Sequence, residues 1–579
     1  MHHIVAELLE QAIDVAGGAM TSAEVEAVLT EPKSRDHGDV AFPCFLLAKS
    51  LRKSPVAIAQ SLEAALVAGL ENSAEVTSAV AVGPYVNFTL NAGARAESVL
   101  TAALQRGYGS SSFGAGKTVG IDFSSPNIAK PFGIGHLRST SIGNALGNIH
   151  RMLGYRVVGI NHLGDWGTQF GKLMAAFEER GDRQKLDDDP IQHLYDLYVW
   201  FHQQVEVNPE YEEMGRDWFR RLEAGDEQAM SYWREFRALS LREFERIYAR
   251  LGVSFDHDWG EAFYEEMLEP VVNDLAAAGL LQESEGALVV DIGEDLPPCL
   301  VRKSDGATLY ATRDLAAARY RHQELQFSLF LYVVGAPQAT HFEQVFRVLN
   351  KMGYDWADSL KHVPFGHIHG ISTRQGTLVF LEDILDEGAK RVRAFLQNEK
   401  PEYDEAKRNE IAEQIAIGAV MFYDLSRNRI KDYDFSWDHM LLGMQRGDKG
   451  NTGIKLQYTY ARLCSVEAQF TDRFGELPAS VAYSRLTEPD AKAIVATVER
   501  WPATVEQAAD QLEPAVISRY AISVCDAFNS FYSHEDKANY RIVSDDAELS
   551  AARTAMVRGA RLTLQSAMEM IGVPHPTQI

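Results

Sequence analysis

Cysteine is scarce in this chain: four residues in 579, Cys44, Cys299, Cys464 and Cys525, with no CxxC spacing. That distribution excludes a disulfide framework and a cysteine-bound zinc centre, and it fits a reducing cytoplasm. No run of about 18 uninterrupted apolar residues occurs, so no membrane span is expected. The first twenty residues lack a basic start and an apolar run, and they are acidic rather than arginine-rich, so neither export nor organellar import is indicated. Positive charge is in deficit: 56 Lys and Arg stand against 81 Asp and Glu, a formal net charge of −25. A general nucleic-acid binder is disfavoured, and any nucleic-acid contact must run through local basic patches. GxxxxGK followed by Ser or Thr is absent, as is GxGxxG, which removes the P-loop and the dinucleotide fingerprint.

The length itself calls for three or four domains, and the 46% hydrophobic content is that of globular proteins. Residues 1–105 read as an α+β unit: helical periodicity over Val5 to Ala16 and Pro55 to Ala68, then the alternating "AVAVGPYVNFTL". The stretch "RGYGSSSFGAGK", 106–117, has the composition of a linker. From Thr118 the pattern becomes βαβ, with a helix in which Ile142, Ala145, Leu146, Ile149, Met152 and Leu153 recur at three- and four-residue spacing before Gly154. "SLFLYVVGAP" (328–337) reads as a second buried strand and "HVPFGHIHG" (362–370) as a third, giving a parallel α/β sheet over 118–446 with a helical insertion at roughly 175–300. Residues 447–579 read as a helical bundle.

Between the first strand and its helix lies "SSPNIAKPFGIGHLRST", 124–140. A helix N-terminus offers unpaired N–H groups and the positive end of a dipole, and small residues let phosphate oxygens approach them. Gly133 and Gly135 clear that space, His136 sits at the helix start, and Lys130 supplies a point charge, so the loop suits a triphosphate. A plain strand-to-helix turn is the alternative reading of GxGH alone.

The loop, followed by "INHLGDWGTQFGK", resembles the first nucleotide-binding half of the class I arginyl-tRNA synthetases, where the HIGH motif precedes LRST. "DHGDVAFP…LAK" and "GPYVNFTL" resemble that family's N-terminal domain, and "RKSDGATLYATRDLAA" with "YVVGAPQATHF" its second catalytic half. "NTGIKLQYTYARLCS" and "FNSFYSH" resemble its anticodon-binding helices. The resemblance implies a multidomain α/β protein: an N-terminal domain for the tRNA elbow, a class I Rossmann-like catalytic domain and an all-α anticodon-binding domain of the DALR type. It also implies a cytoplasmic, monomeric ligase that uses ATP with Mg2+, forms arginyl-adenylate from L-arginine, and passes the arginyl group to tRNA(Arg).

Two departures stand out. Gly133 replaces the first histidine of His-x-Gly-His, and "GISTRQG" (370–376) has Gly370 and Thr373 where the KMSKS signature has lysines. Lys130 occupies the place from which some family members supply the missing lysine, and Arg374 and Ser372 belong to the same phosphate site. The missing histidine leaves open a catalytically silent tRNA-binding relative, and a related nucleotidyltransferase or a class I synthetase for another amino acid is a third reading. A guanidinium needs carboxylates and a hydroxyl rather than an apolar pocket. Tyr310 and Asp314 are four residues apart, on one face of a helix.

By resemblance, Asp314 grips the guanidinium with Tyr310 beside it, Glu261 adds a second carboxylate, and Ser125, Asn127 and Gln338 hold the α-amino end. Gly335 and His341 are expected at ATP, while Asp165 is either a nucleotide contact or the cap of a helix near Thr168. For tRNA, Tyr458 and Arg462 are candidates among the aromatic and basic residues of the last domain, because unpaired bases are read by stacking and edge hydrogen bonds. Asn87 and Phe88 are candidates at the elbow.

Overall fold

The computed structural model describes residues 1–579 apart from Lys33, Pro131, Asp305, Ala307, Thr308, 371–379 and 445–449, and apart from the Arg35 side chain. Ser372 and Arg374 lie outside the described residues.

In the N-terminal unit, helices His2–Val15 and Pro55–Leu70 cover a three-stranded antiparallel sheet of β1 (Val40–Pro43), β2 (Val76–Val82) and β3 (Tyr85–Leu90), in the order β1-β3-β2. "AVAVGPYVNFTL" folds as a hairpin because Gly83, at φ +58, accepts the left-handed turn between the alternating arms. The stretch 106–117 is a packed strap and not a free linker. Trp501 Nε1 donates to the Tyr108 carbonyl at 3.2 Å, the Tyr108 hydroxyl donates to the Val498 carbonyl at 3.1 Å, and the Gly114 N–H donates to the Leu153 carbonyl at 2.8 Å. A Cβ on Gly109 would lie 2.5 Å from the Trp501 ring, so its glycine serves close approach.

β4 (Thr118–Asp122) and β5 (Arg156–Ile160) flank the helix Ile134–Met152, and the apolar spacing along that helix buries Ile142, Ala145, Leu146 and Ile149. The insertion then runs through helices Thr168–Arg180, Pro190–Val207, Glu210–Glu223 and Glu227–Leu251. Its remainder is not all helical: after Leu268–Ala277, β6 (Leu281–Ser284), β7 (Ala287–Val290) and β8 (Cys299–Arg302) form an antiparallel sheet. β6 is exposed along most of its length and carries no apolar alternation to announce it.

β9 (Leu329–Tyr332) and β10 (Leu360–His362) complete a four-stranded parallel sheet in the order β10-β9-β4-β5. Its strands alternate between two cores. Val119, Ile121 and Leu331 face the layer of helix Ile134–Met152, whereas Phe330, Tyr332, Val158 and Ile160 face the layer of helices Tyr310–Leu325 and Ala339–Lys351. Chain order reverses between β4 and β9, so their carboxyl ends open a crevice at the topological switch point.

Two short strands, β11 (Ile368–His369) and β12 (Tyr433–Asp434), pair in parallel beyond the sheet. The helical region begins earlier than 447, with Leu381–Glu399 and Glu405–Leu425, and continues through Gly453–Phe474, Pro489–Glu499, Trp501–Asp510, Ala515–Tyr532 and Ala547–Met570. A Cβ on Gly453 would lie 2.3 Å from the Gly418 carbonyl oxygen, so two of these helices cross backbone to backbone.

Candidate active site

The crevice is entered at the loop that follows β4. Ser124, Ser125 and Ala129 all have positive φ, +70, +50 and +57, a conformation costing of order 1 kcal/mol or more at a non-glycine residue. Side chains from other elements hold it. The Ser124 N–H donates to Ser139 Oγ at 2.9 Å, the Ser124 hydroxyl meets Tyr248 OH at 2.8 Å, Ser125 Oγ donates to Asp122 Oδ1 at 3.0 Å, and the Ala129 N–H donates to Ser240 Oγ at 3.0 Å. Gly164 closes in from the next strand, where a Cβ would lie 2.1 Å from Asn127 Oδ1.

Each polar residue of LRST has an assigned contact. Thr140 donates to Ser124 Oγ at 2.8 Å, and Ser139 donates to the Val333 carbonyl, just past β9, at 2.6 Å. Arg138, 1% exposed, pairs with the equally buried Asp424 at 3.0 Å and donates to the carbonyls of Gly366 at 2.8 Å and Lys431 at 3.0 Å. Ser141 and Tyr433 donate to the same carboxylate at 2.5 and 3.0 Å. The helix of the loop is thereby fastened to helix Glu405–Leu425 and to the segments bearing β11 and β12.

The helix starts at Gly133 without a side-chain cap; the His136 N–H donates to the Gly133 carbonyl at 3.0 Å and Gly133 is bridged to Phe380, so the exposed Gly135 is the position at which the first turn offers its N–H to an anion. A Cβ on Gly135 would meet nothing within 4 Å, so the first turn is open. His136 Nδ1 is sealed from solvent and has no hydrogen-bond partner among the described residues. Burial lowers the His136 pKa, the Gly133 carbonyl partly opposes this and the Lys130 charge adds to it, so the ring is neutral at pH 7. Lys130 Nζ rests 5.0 Å from the Tyr198 ring centroid.

On the other side of the crevice two carboxylates converge. Asp314, in the second turn of helix Tyr310–Leu325, is bonded to His341 Nε2 at 2.5 Å. Glu261 comes from the opposing segment and is 3.8 Å from Arg313. Burial raises the Glu261 pKa to about 7; Arg313 opposes the shift, and the Asp165 and Asp314 charges reinforce it. Asp314 is also pushed up by burial, but the His341 bond, with His341, His162 and Arg321 charges, outweighs this and leaves it below its usual value. Beneath them the buried Arg321 pairs with Asp122 at 2.8 Å and reaches Tyr264 OH at 3.1 Å. The site thus carries two coupled carboxylates beside an imidazole, with Arg313 and Arg321 as the nearby cations, and the raised Glu261 pKa is what a further cation would relieve.

Other expected residues fall differently. Asp165 does not cap helix Thr168–Arg180, whose N-cap is Gly167; it accepts from the Ala262 N–H at 2.9 Å and from Arg237 at 2.8 Å, and so fixes the segment that carries Glu261. Tyr310 is 68% exposed at the first position of its helix, away from packing, and Gln338 is exposed as well. Gly335 lies against Phe365, and a Cβ there would meet Pro337 only at 3.7 Å, so close approach does not require glycine. Arg138, Asp424, Arg321 and Tyr248 were not singled out by motif chemistry, and their partners are remote in sequence.

Comparison with known proteins decides the family. Residues 99–437 match the model for tRNA synthetases class I (R), catalytic domain; 3–90 match the arginyl tRNA synthetase N terminal domain; 456–579 match the DALR anticodon binding domain. The chain is 43% identical over 581 residues to an arginine–tRNA ligase of Lactococcus lactis, with 99% of each covered, and 41% identical to one of Halothermothrix orenii, with 96% of each covered. The chain belongs to the arginyl-tRNA synthetase family. The fold agrees: an arginyl-tRNA synthetase structure from Thermus thermophilus superposes with a TM-score of 0.80 at 22% identity over 99% of both chains, and one from Plasmodium falciparum with 0.77 at 23% over 99% of this chain and 98% of that one.

On the expected tRNA face of the synthetase, burial revises several candidates. Phe88 is fully buried in the N-terminal core and Asn87 is 4% exposed, so neither presents its side chain to a partner. The exposed aromatic edge there is Phe45 against Tyr85, ring centroids 6.1 Å apart. Tyr458 is half-buried against the helical core. Arg462 is exposed, donates to Asn529 at 3.0 Å and lies 5.0 Å over the exposed Tyr532 ring. That cation–ring pair has the chemistry for an unpaired base.

Proposed function

We propose that this chain is an ATP-dependent arginine–tRNA ligase whose reaction takes place in the crevice between β4 and β9. The single observation that carries the reading is the electrostatic coupling of Glu261 with Asp314, whose helix packs on the sheet face opposite the uncapped helix that starts at Gly133. A guanidinium neutralises the two carboxylates, and a triphosphate neutralises the helix end and Lys130.

The arginine carboxylate attacks the α-phosphorus of ATP; the bond to the β-phosphate oxygen breaks, and pyrophosphate leaves with its electron pair. A terminal ribose hydroxyl of tRNA(Arg) then attacks the acyl carbon, and AMP leaves. No protein nucleophile is needed, so catalysis is positioning and charge stabilisation. ATP is used as its Mg2+ complex, which lowers the phosphate charge. Neutral His136 donates a hydrogen bond to the phosphate in the transition state, and Lys130, released from Tyr198, contributes a full charge to the departing pyrophosphate.

Ser125 and Asn127 lie at the strained loop, where the α-amino end would face them. The enzyme acts as a monomer in the cytoplasm, with the first 105 residues and the helices after 447 on the tRNA. In support, no described helix is long and apolar enough to cross a membrane, and the four cysteines are free.

The test is ATP-dependent charging of deacylated total tRNA with each of the twenty amino acids in turn. Arginine alone is expected on tRNA; charging by another amino acid would overturn the pocket, and none by a folded sample would overturn the activity.

A further inference from the structure

We infer that His341 is a positioning residue for the guanidinium subsite, holding the Asp314 carboxylate from the neighbouring helix, and not a contact to the nucleotide. The inference rests on the assignment of Asp314 to arginine. It departs from the sequence pattern, in which His341 falls where an ATP ligand is expected.

Layering argues for it first. The phosphate cradle grows from helix Ile134–Met152, whose Ile134 and Leu137 pack in the core on one face of the sheet. His341 and Asp314 grow from helices Ala339–Lys351 and Tyr310–Leu325, whose Phe342, Val345, Ala311 and Leu315 pack together on the opposite face. The histidine therefore shares a layer with the carboxylate and not with the cradle.

Geometry argues for it second. Nε2 is already committed to Asp314 Oδ2 at 2.5 Å, and the ring is braced edge-on by Phe342 with centroids 5.4 Å apart. Since His341 engages Oδ2, Oδ1 is left to accept from an incoming donor, and Glu261, electrostatically coupled to Asp314, supplies a second acceptor.

Electrostatics agrees. Asp314 and Glu261 share a half-buried site, yet Glu261 is raised to about 7 while Asp314 is held below its ordinary value, chiefly by the imidazole. Two like carboxylates close together cannot both ionise cheaply. His341 selects which one stays charged in readiness for the guanidinium.

The experiment is steady-state charging of tRNA(Arg) by full-length His341→Ala, His341→Gln and Asp314→Asn, with arginine and MgATP varied separately. His341→Ala is expected to raise the arginine KM about tenfold or more, the effect of losing one hydrogen bond to a charged group, with the ATP KM within about twofold of wild type. His341→Gln, which keeps an Nε2 donor, should recover most of the loss. Should the alanine variant melt below the assay temperature, His341→Phe, which fills the ring space without a donor, takes its place. A rise in the ATP KM, alone or equal to that for arginine, overturns the inference, as does a change in kcat with both KM values intact. An Asp314→Asn enzyme with an unaltered arginine KM would instead overturn the pocket assignment, so the two failures are distinguishable.

Discussion

Arg138–Asp424 and His341–Asp314 are both charged pairs between separate helices, and both bear on the crevice, yet they serve different ends. The first is 1% exposed on both sides, and Gly366, Lys431, Ser141 and Tyr433 supply four further hydrogen bonds to its two members. The second is about one-fifth exposed and is electrostatically coupled to Glu261, whose cation, Arg313 at 3.8 Å, is shared with Glu265 at 2.7 Å. A buried charge pair whose two members each hold further partners inside the protein is architecture, because removing either member strands the other away from water. A partly exposed carboxylate pair with a raised pKa on one member is a candidate for binding a cation. The difference lies in how far each pair is withdrawn from water and what surrounds it, not in the type of residue.

The sharpest break of that contrast is Asp314→Ala, expected to lower kcat/KM for arginine by about 100-fold or more, the range for removing one member of a buried charged contact. Unaltered arginine charging would show that Asp314 is as structural as Asp424. Asp424→Ala should act the other way round: uncompensated Arg138 costs about 3–5 kcal/mol, read as an unfolding transition at lower urea with the arginine KM of the surviving fold intact. On the phosphate side, His136→Ala should cut kcat on the order of 100-fold while leaving the arginine KM in place. A parallel loss in Lys130→Ala would assign the second charge, and a loss of only a few-fold would mean that another group supplies it.

Smaller, but diagnostic, is pH. Glu261 is protonated below about 7 and the guanidinium selects its ionised form, so the arginine KM should fall as pH rises from 6 to 8 and then level off. Glu261→Gln should weaken binding and flatten that dependence; a slope that survives the substitution belongs to another group. The smallest effect is expected at the surface, where Arg462→Ala should raise the KM for tRNA a few-fold with arginine and ATP constants unchanged.

How much of this was legible differs from residue to residue. The strand, glycine loop and helix around Gly133 to His136 could be read because phosphate chemistry uses contiguous backbone. Asp314 was singled out by the Tyr310 spacing and the resemblance, and the parallel sheet could be read from its apolar runs. Phe88 could not be placed from its alternation, because a strand residue pointing into a core and one pointing at a partner share the same period. The composition of 106–117 suggested slack, whereas the glycines there make room for Trp501 and Tyr155. The sequence leaves Asp165 between a nucleotide contact and the cap of the next helix; it does not cap that helix, and it holds the Glu261 segment through Ala262 and Arg237.

The sequence by itself determined the local elements, the loop able to receive phosphate, the scarcity of cysteine and the acidic balance, since each depends on neighbouring residues or on composition. Only the tertiary structure decided that Arg138 closes on Asp424, that His341 belongs to the layer of Asp314, and that Glu261 rather than Asp314 carries the raised pKa. Those outcomes depend on distances across the two faces of the sheet and on how far each charge is withdrawn from water. Neither quantity exists until the chain has closed around the crevice.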